Sequence, residues 1–247
     1  GGLFMPCELQ RLFAYLQASD VRALSTLPLT RSFGWDGSEA HVQHDIHELT
    51  RFLFDNVETY MPREGGSIIP ELFKGKTVNE VECKTCGNVS SREEDFYDLT
   101  VSVEGKSGVV ESLDCLTEAE QLTGDNQYRC DNCNKLVDAE RRFRLGKMPP
   151  IVCVSLLRFS WSDVREKFTH RFAFPLVLDM KKYRGQGEAA EGEESVYELF
   201  SCVIHSGSAY GGHYHAIIRD ILHKGEDGDT GNAAGAGPEI EGGEGSG

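Results

Sequence analysis

Val203-Ile204-His205-Ser206-Gly207-Ser208-Ala209-Tyr210-Gly211-Gly212-His213-Tyr214-His215-Ala216-Ile217-Ile218-Arg219 is the stretch around which the rest of the chain is organised. An apolar strand enters, a loop of small residues turns, and a second apolar strand leaves with a histidine at its head. Gly211 and Gly212 strip away side chains just ahead of His213, so a foreign backbone can come close to the imidazole. Histidine titrates near neutrality and can take and return a proton, which is the work of a general base in acyl transfer. Taken alone, the same pattern also fits an ordinary hairpin with a structural histidine, so the remaining stretches must decide.

Two cysteine pairs carry the next signal, Cys83-Lys84-Thr85-Cys86 and Cys130-Asp131-Asn132-Cys133. Two C-x-x-C knuckles separated by one segment are the layout of a four-thiolate zinc ribbon, each tight turn supplying two ligands to a tetrahedral ion. Gly87 lets the chain turn behind the first knuckle so that backbone amides can face the sulfurs. The intervening segment is long and must form strands of its own. Two disulfides are the competing reading, but no secretory leader is visible and four other cysteines fall at irregular spacing. Zn2+ held by Cys83, Cys86, Cys130 and Cys133 is therefore expected. Its role is structural, because four protein ligands leave no position open to substrate.

The global properties narrow the class. A chain of 247 residues with a 39% hydrophobic share suits one multi-part fold with its own core. No run of about 18 apolar residues is present, so no membrane partner is expected. The start, Gly1-Gly2-Leu3-Phe4-Met5, lacks a basic region followed by an apolar core and reads as a cut within a longer chain. A net charge of −15 argues against nucleic acid, whose phosphates call for Lys and Arg.

From Pro6 to Gln17 the apolar residues Leu9, Leu12, Phe13 and Leu16 mark one stripe of a helix. Pro6 suits its first turn, and Cys7 beside it is the one cysteine at a helix start, where the dipole lowers a thiol pKa, although a small apolar residue beginning a packed helix accounts for it as well. A second helix follows, with Ile46, Leu49, Leu53, Val57 and Tyr60 at three- and four-residue steps and Pro62 closing it. At its head lies Gln43-His44-Asp45-Ile46-His47-Glu48. Asp45 and Glu48 share a face, where they can hold a cation or complement the positive end of the helix.

After Gly65-Gly66 the chain turns to strands: Lys76 to Glu82, then Leu99, Val101 and Val103 alternating with polar partners. Pro149-Pro150 precedes Ile151-Val152-Cys153-Val154-Ser155-Leu156-Leu157, which reads as a strand buried on both faces. Tyr197 to His205 reads as one strand, with Cys153 and Cys202 as inert core thiols. Glu188 to Glu194 is an acidic loop, and the Gly/Glu-rich tail from residue 223 cannot offset its own ordering entropy and is expected to be disordered.

These segments resemble the ubiquitin-specific proteases, the cysteine-type deubiquitinases. Gln43 to Leu49 is similar to that family's Q-Q-D-A-x-E-F segment, and the two knuckles fall where its zinc ribbon lies. Pro149 through Phe159 is similar to its P-x-x-L-x-x-x-L-x-R-F strand, Phe174 to Asp179 to its F-P-x-x-L-D turn, and His205 through Tyr214 to its histidine box. The resemblance implies an α+β hand with a helical thumb, a mixed palm and zinc-bearing β fingers at about residues 76–147, within a catalytic domain spanning 1–222. It implies ubiquitin and ubiquitinated proteins as partners, a reducing compartment (cytoplasm or nucleus), and thiol-dependent hydrolysis at the ubiquitin C-terminus. His213 matches the catalytic histidine. Asp45 matches the residue that pairs with the ubiquitin tail, Glu48 assists it, and Gly212 and Tyr214 line the same passage. The family's cysteine box has no counterpart here, since Cys7 lacks the preceding Asn. A truncated thumb without the nucleophile is thus expected, and a catalytically dead ubiquitin-binding scaffold is the alternative. Asp220, Asp227 and Asp229 are the candidates for orienting His213.

Overall fold

The computed structural model describes residues 4–21, 23–35, 45–60, 67–160, 166–185 and 195–219. The acidic loop at 188–194, Pro62, Gly65-Gly66, the aspartates at 220, 227 and 229, and the tail from 223 lie outside the described residues.

Four helices come first: α1 (Met5–Ala18), α2 (Leu27–Ser32), α3 (Ile46–Tyr60) and α4 (Ile68–Phe73). Pro6 sits in the first turn of α1, where its missing N–H costs nothing. The expected apolar stripe carries the packing of α1 only in part, through the half-buried Leu9 and Leu12. Phe13 and Leu16 are 53% and 59% exposed, whereas Met5 and Glu8 are buried and Leu12 is half-buried. The helix is rotated so that the Met5–Glu8–Leu12 edge faces its neighbours, a line that also satisfies helical spacing. Glu8 is held there by Arg11 at 3.1 Å. In α3 the predicted stripe does face inward, with Ile46, Leu49, Leu53 and Val57 half-buried. Tyr60 closes the contact to α1 edge-on against Phe4, ring centroids 4.7 Å apart.

The strands then begin with β1 (Gly75–Cys83), β2 (Val89–Phe96) and β3 (Leu99–Ser102), followed by α5 (Val109–Thr117). Next come β4 (Glu120–Leu122), β5 (Tyr128–Cys130), β6 (Lys135–Val137) and β7 (Ala139–Leu145). An antiparallel sheet in the order β2-β1-β7-β4 projects outward, and the β5-β6 ribbon lies between β4 and β7 in the chain. The edge strand β2 carries Arg92, Glu93, Glu94 and Asp95 in solvent, charges that discourage edge-to-edge pairing.

The palm is made of β8 (Val154–Leu157), β9 (Phe159–Ser160), β10 (Glu166–Lys167), β11 (Val177–Asp179), β12 (Val196–Glu198), β13 (Ser201–Ser208) and β14 (Gly211–Ile218). β8 runs parallel to β3, and the other pairings are antiparallel. Two readings are corrected here. The apolar run at 151–157 is a strand only from Val154, and it is half-buried with Leu157 exposed, because among the described residues β3 is its one strand neighbour. The run from Tyr197 to His205 is broken at Leu199-Phe200. The Leu199 amide turns to the Leu176 carbonyl, while the Phe200 carbonyl takes the Arg219 amide.

The main core joins finger base and palm: Phe96, Leu99, Val101, Val103, Val109, Leu113, Leu145, Met148, Phe172, Met180 and Tyr183. The alternation at Leu99, Val101 and Val103 expected from sequence is present, each side chain being buried. The result is an α+β hand: α1–α4 as the thumb, the long antiparallel sheet as fingers and the short ribbons as palm.

Candidate functional site

The finger tip is built by two turns. In the first, the Gly87 amide donates to the Cys83 carbonyl at 2.9 Å, with Gly87 at φ +71°, a conformation that favours glycine. The Cys86 amide thereby faces Cys83 Sγ at 3.4 Å. The second turn joins β5 to β6 and passes through Asn134 at φ +47°. The knuckles are locked together by Lys84 N–H donating to the Asp138 carbonyl at 2.9 Å. All four Sγ atoms lie within 4.8 Å of one another, with Cys83–Cys133 at 3.9 Å and Cys86–Cys130 at 3.8 Å. A tetrahedron of thiolates at the usual Zn–S length of about 2.3 Å has edges of about 3.8 Å, so the cluster is compatible with a zinc site. As free thiols the group shares charge unevenly. Hydrogen bonds from the Asn132 side chain, then from the Asn88 backbone, draw Cys86 down to about 6. Cys133 is pushed up to about 12, chiefly by its contact with Cys86 and then by burial.

The second site lies where the head of α3 meets the mouth of the β13–β14 hairpin. Asp45 precedes the first helical residue and caps it: its Oδ1 accepts the His47 amide at 2.7 Å. Its Oδ2 accepts the Tyr214 hydroxyl at 3.4 Å. One carboxylate thus ties thumb to palm. The His47 side chain turns the other way, Nε2 lying 3.0 Å from Asp98, where Arg51 also approaches at 3.6 Å. Glu48 stands exposed one turn on, with no partner among the described residues.

In the hairpin, Ser206 pairs with His213 and His205 with Tyr214. A two-residue loop, Ala209-Tyr210, makes Ser208 and Gly211 the closing hydrogen-bonded pair. Alternation then makes Ser206–His213 a hydrogen-bonded pair and His205–Tyr214 a close, non-bonded one. The rings of His205 and Tyr214 are accordingly 4.8 Å apart. Cross-strand partners share a face, so Asp45, Tyr214 and His205 gather on one side while His213 leaves on the other, exposed. Burial lowers the pKa of His205, the neighbouring Lys167 ammonium and the nearby His213 ring add to that, and Asp45 opposes it. Burial raises the Tyr214 hydroxyl, and the Asp45 charge adds to the rise. Gly212 is required by the hairpin itself, since a Cβ there would strike the Ser206 carbonyl and lie 2.6 Å from His205 Nε2.

Sequence reasoning passed over His205 and Lys167. Lys167 donates to the carbonyls of His205 and Gly207, each at 2.9 Å. A second histidine on the strand leading into the turn was the available signal for the first; nothing local marks the second. The cysteines outside the cluster divide: Cys7 and Cys115 are exposed, while Cys153 and Cys202 are half-buried. Burial pushes the thiols of both Cys153 and Cys202 upward, away from reactivity.

A thumb, a palm carrying a histidine hairpin and fingers closed by four cysteines define a hand-shaped α+β fold. Residues 4–227 match the ubiquitin carboxyl-terminal hydrolase family, and the chain belongs to it. Human ubiquitin carboxyl-terminal hydrolase 40 is 45% identical over 226 residues, 90% of this chain and 18% of that protein. Ubiquitin C-terminal hydrolase 13 of Arabidopsis thaliana is 37% identical over 88% of this chain and 20% of its own length. The chain therefore spans about a fifth of the length of these relatives. Among solved structures, the SAGA Ubp8/Sgf11/Sus1/Sgf73 DUB module bound to ubiquitin aldehyde matches with a TM-score of 0.73 at 24% identity, over 87% of this chain and 51% of that one. That likeness shows the fold.

Proposed function

We propose that this chain is the ubiquitin-holding, proton-transferring part of a cysteine-type deubiquitinase that hydrolyses the isopeptide bond at the ubiquitin C-terminus. The observation that carries the reading is the junction of α3 and the hairpin, where Asp45 meets Tyr214 at 3.4 Å beside the side-chain-free mouth at Gly211-Gly212, over which a chain end passes from that face to the exposed His213 on the other. A tail ending Arg-Gly-Gly needs a narrow passage with a carboxylate for its arginine and amides. Asp45 with Glu48 supplies the charge, and Tyr214 and Gly212 line the path. His213 takes the proton of a cysteine thiol, the thiolate attacks the isopeptide carbonyl, and the imidazolium returns the proton to the leaving lysine amine; water then hydrolyses the thioester. Zn2+ on Cys83, Cys86, Cys130 and Cys133 holds the finger tip and takes no part in the reaction. Eight free cysteines fit a reducing compartment, cytoplasm or nucleus. A net charge of −15 opposes nucleic acid as a partner, and among the described residues no helix is long and apolar enough to cross a membrane.

The test is hydrolysis of a ubiquitin C-terminal fluorophore by the full-length protein and its His213→Ala variant. Turnover lost in the variant is expected, by about 10²- to 10⁴-fold; turnover that survives the substitution contradicts the role of His213. A second reading, a ubiquitin-binding module without chemistry, is favoured by one observation: burial pushes the thiols of Cys153 and Cys202 upward, away from the thiolate form. It predicts ubiquitin binding weakened by Asp45→Ala, with no hydrolysis.

A further inference from the structure

Lys167 belongs to β10, whose partner β9 places Phe159 directly across from it. That ring also contacts His205, with centroids 5.5 Å apart. The β9–β10 ribbon is thus a side wall against β13. An extended strand sends the carbonyls of residues i and i+2 to the same edge. With Ser206 bonded to His213, the carbonyls of His205 and Gly207 point off the outer edge of β13, away from β14. An outer edge facing a neighbouring element offers its carbonyls as acceptors to any donor that reaches them. The Lys167 ammonium is such a donor, reaching both carbonyls at 2.9 Å. It is partly desolvated in doing so, and burial, with Arg158 nearby, lowers its pKa.

The two carbonyls flank Ser206, the residue whose backbone holds that of His213. Gly207, at φ +140°, is where the strand departs from regular geometry before the turn. A Cβ on Gly207 would lie 2.5 Å from the Gly212 Cα, so the two strands are in close backbone contact there. The mouth of the hairpin is therefore fixed on its inner edge by β14 and, among the described residues, hydrogen-bonded on its outer edge by the Lys167 side chain. We propose that Lys167 is a positioning residue for His213, gripping the strand opposite it so that the imidazole meets the scissile bond in register. This rests on the deubiquitinase reading above. Lys167 grips β13 opposite His213, while the charge that holds the tail comes from Asp45 at the head of α3, so a loosened hairpin disturbs the reacting geometry more than the affinity.

The experiment compares wild type, Lys167→Met and Lys167→Arg in the full-length protein, using a ubiquitin C-terminal fluorophore, with amide hydrogen exchange at Ser206 and His213 alongside. Expected are a kcat about 10- to 100-fold lower in Lys167→Met, with KM changed less than about twofold and faster exchange at both amides. Lys167→Arg, whose fork can reach both carbonyls, recovers most of the rate. Should Lys167→Met fail to fold, Lys167→Gln carries the same expectation. Wild-type kinetics in Lys167→Met, a raised KM with kcat intact, or no recovery in Lys167→Arg each overturn the positioning role while leaving the deubiquitinase reading in place. A full-length wild type without turnover removes both.

Discussion

Asp45 uses its two carboxylate oxygens on two elements, Oδ1 on the His47 amide at 2.7 Å and Oδ2 on the Tyr214 hydroxyl at 3.4 Å. The first is a helix cap and the second a bridge from thumb to palm. Sequence reading offered these as rivals, helix complement or ligand site, yet the geometry lets one residue do the first and still present charge at the groove. Replacement by alanine should therefore cost in two currencies. Loss of the cap lowers stability by about 1 kcal/mol in chemical denaturation. Loss of the charge weakens ubiquitin binding by about 10- to 100-fold in calorimetry. Asp45→Asn separates them, keeping most of the cap and losing most of the affinity.

The cysteine cluster predicts metal dependence. The preparation should contain one zinc per chain by elemental analysis, and a strong chelator should lower the melting temperature. Cys83→Ser or Cys130→Ser, replacing ligands that are fully buried, should do the same without chelator. Equal melting temperatures with and without metal would show that the fingers stand on their β pairing alone.

His205 predicts a pH dependence of stability. Its folded pKa lies below the ordinary histidine value, first through burial, then through Lys167 and His213, against the opposing pull of Asp45. The unfolded chain then binds the proton more readily than the folded one, so stability rises with pH across the interval between the two values. Stability is full above about 6.5 and is lost as the pH falls from there through the folded value. Denaturation series at pH 7.5 and 5 should show this loss shrinking in His205→Gln relative to wild type.

Packing predicts a contrast between two apolar residues. Leu113 is fully buried in the main core, and Leu113→Ala should cost about 2–5 kcal/mol. Phe13 is more than half exposed on α1, and Phe13→Ala should cost less than about 0.5 kcal/mol.

That contrast also marks where the sequence was readable. The knuckles were legible because metal chemistry restricts spacing and residue type at once, and Leu99, Val101 and Val103 because period-two burial leaves a local trace. The orientation of α1 was not. Both Leu9-Leu12-Phe13-Leu16 and Met5-Glu8-Leu12 satisfy helical spacing, and only the neighbours choose between them. Lys167 was invisible for a related reason: its role is to satisfy carbonyls 38 and 40 residues away, and carbonyls look the same in every sequence. At the hairpin the residue types were legible but the reason for Gly212 was incomplete, since the turn needs that glycine whether or not a substrate passes.

The direct test is the affinity of the protein for ubiquitin compared with ubiquitin lacking its last two glycines. If the cleft between the head of α3 and the mouth of β13–β14 takes the tail, the shortened form binds at least about tenfold more weakly, and Asp45→Ala narrows that difference. Equal affinity for the two forms would mean that the tail does not enter there.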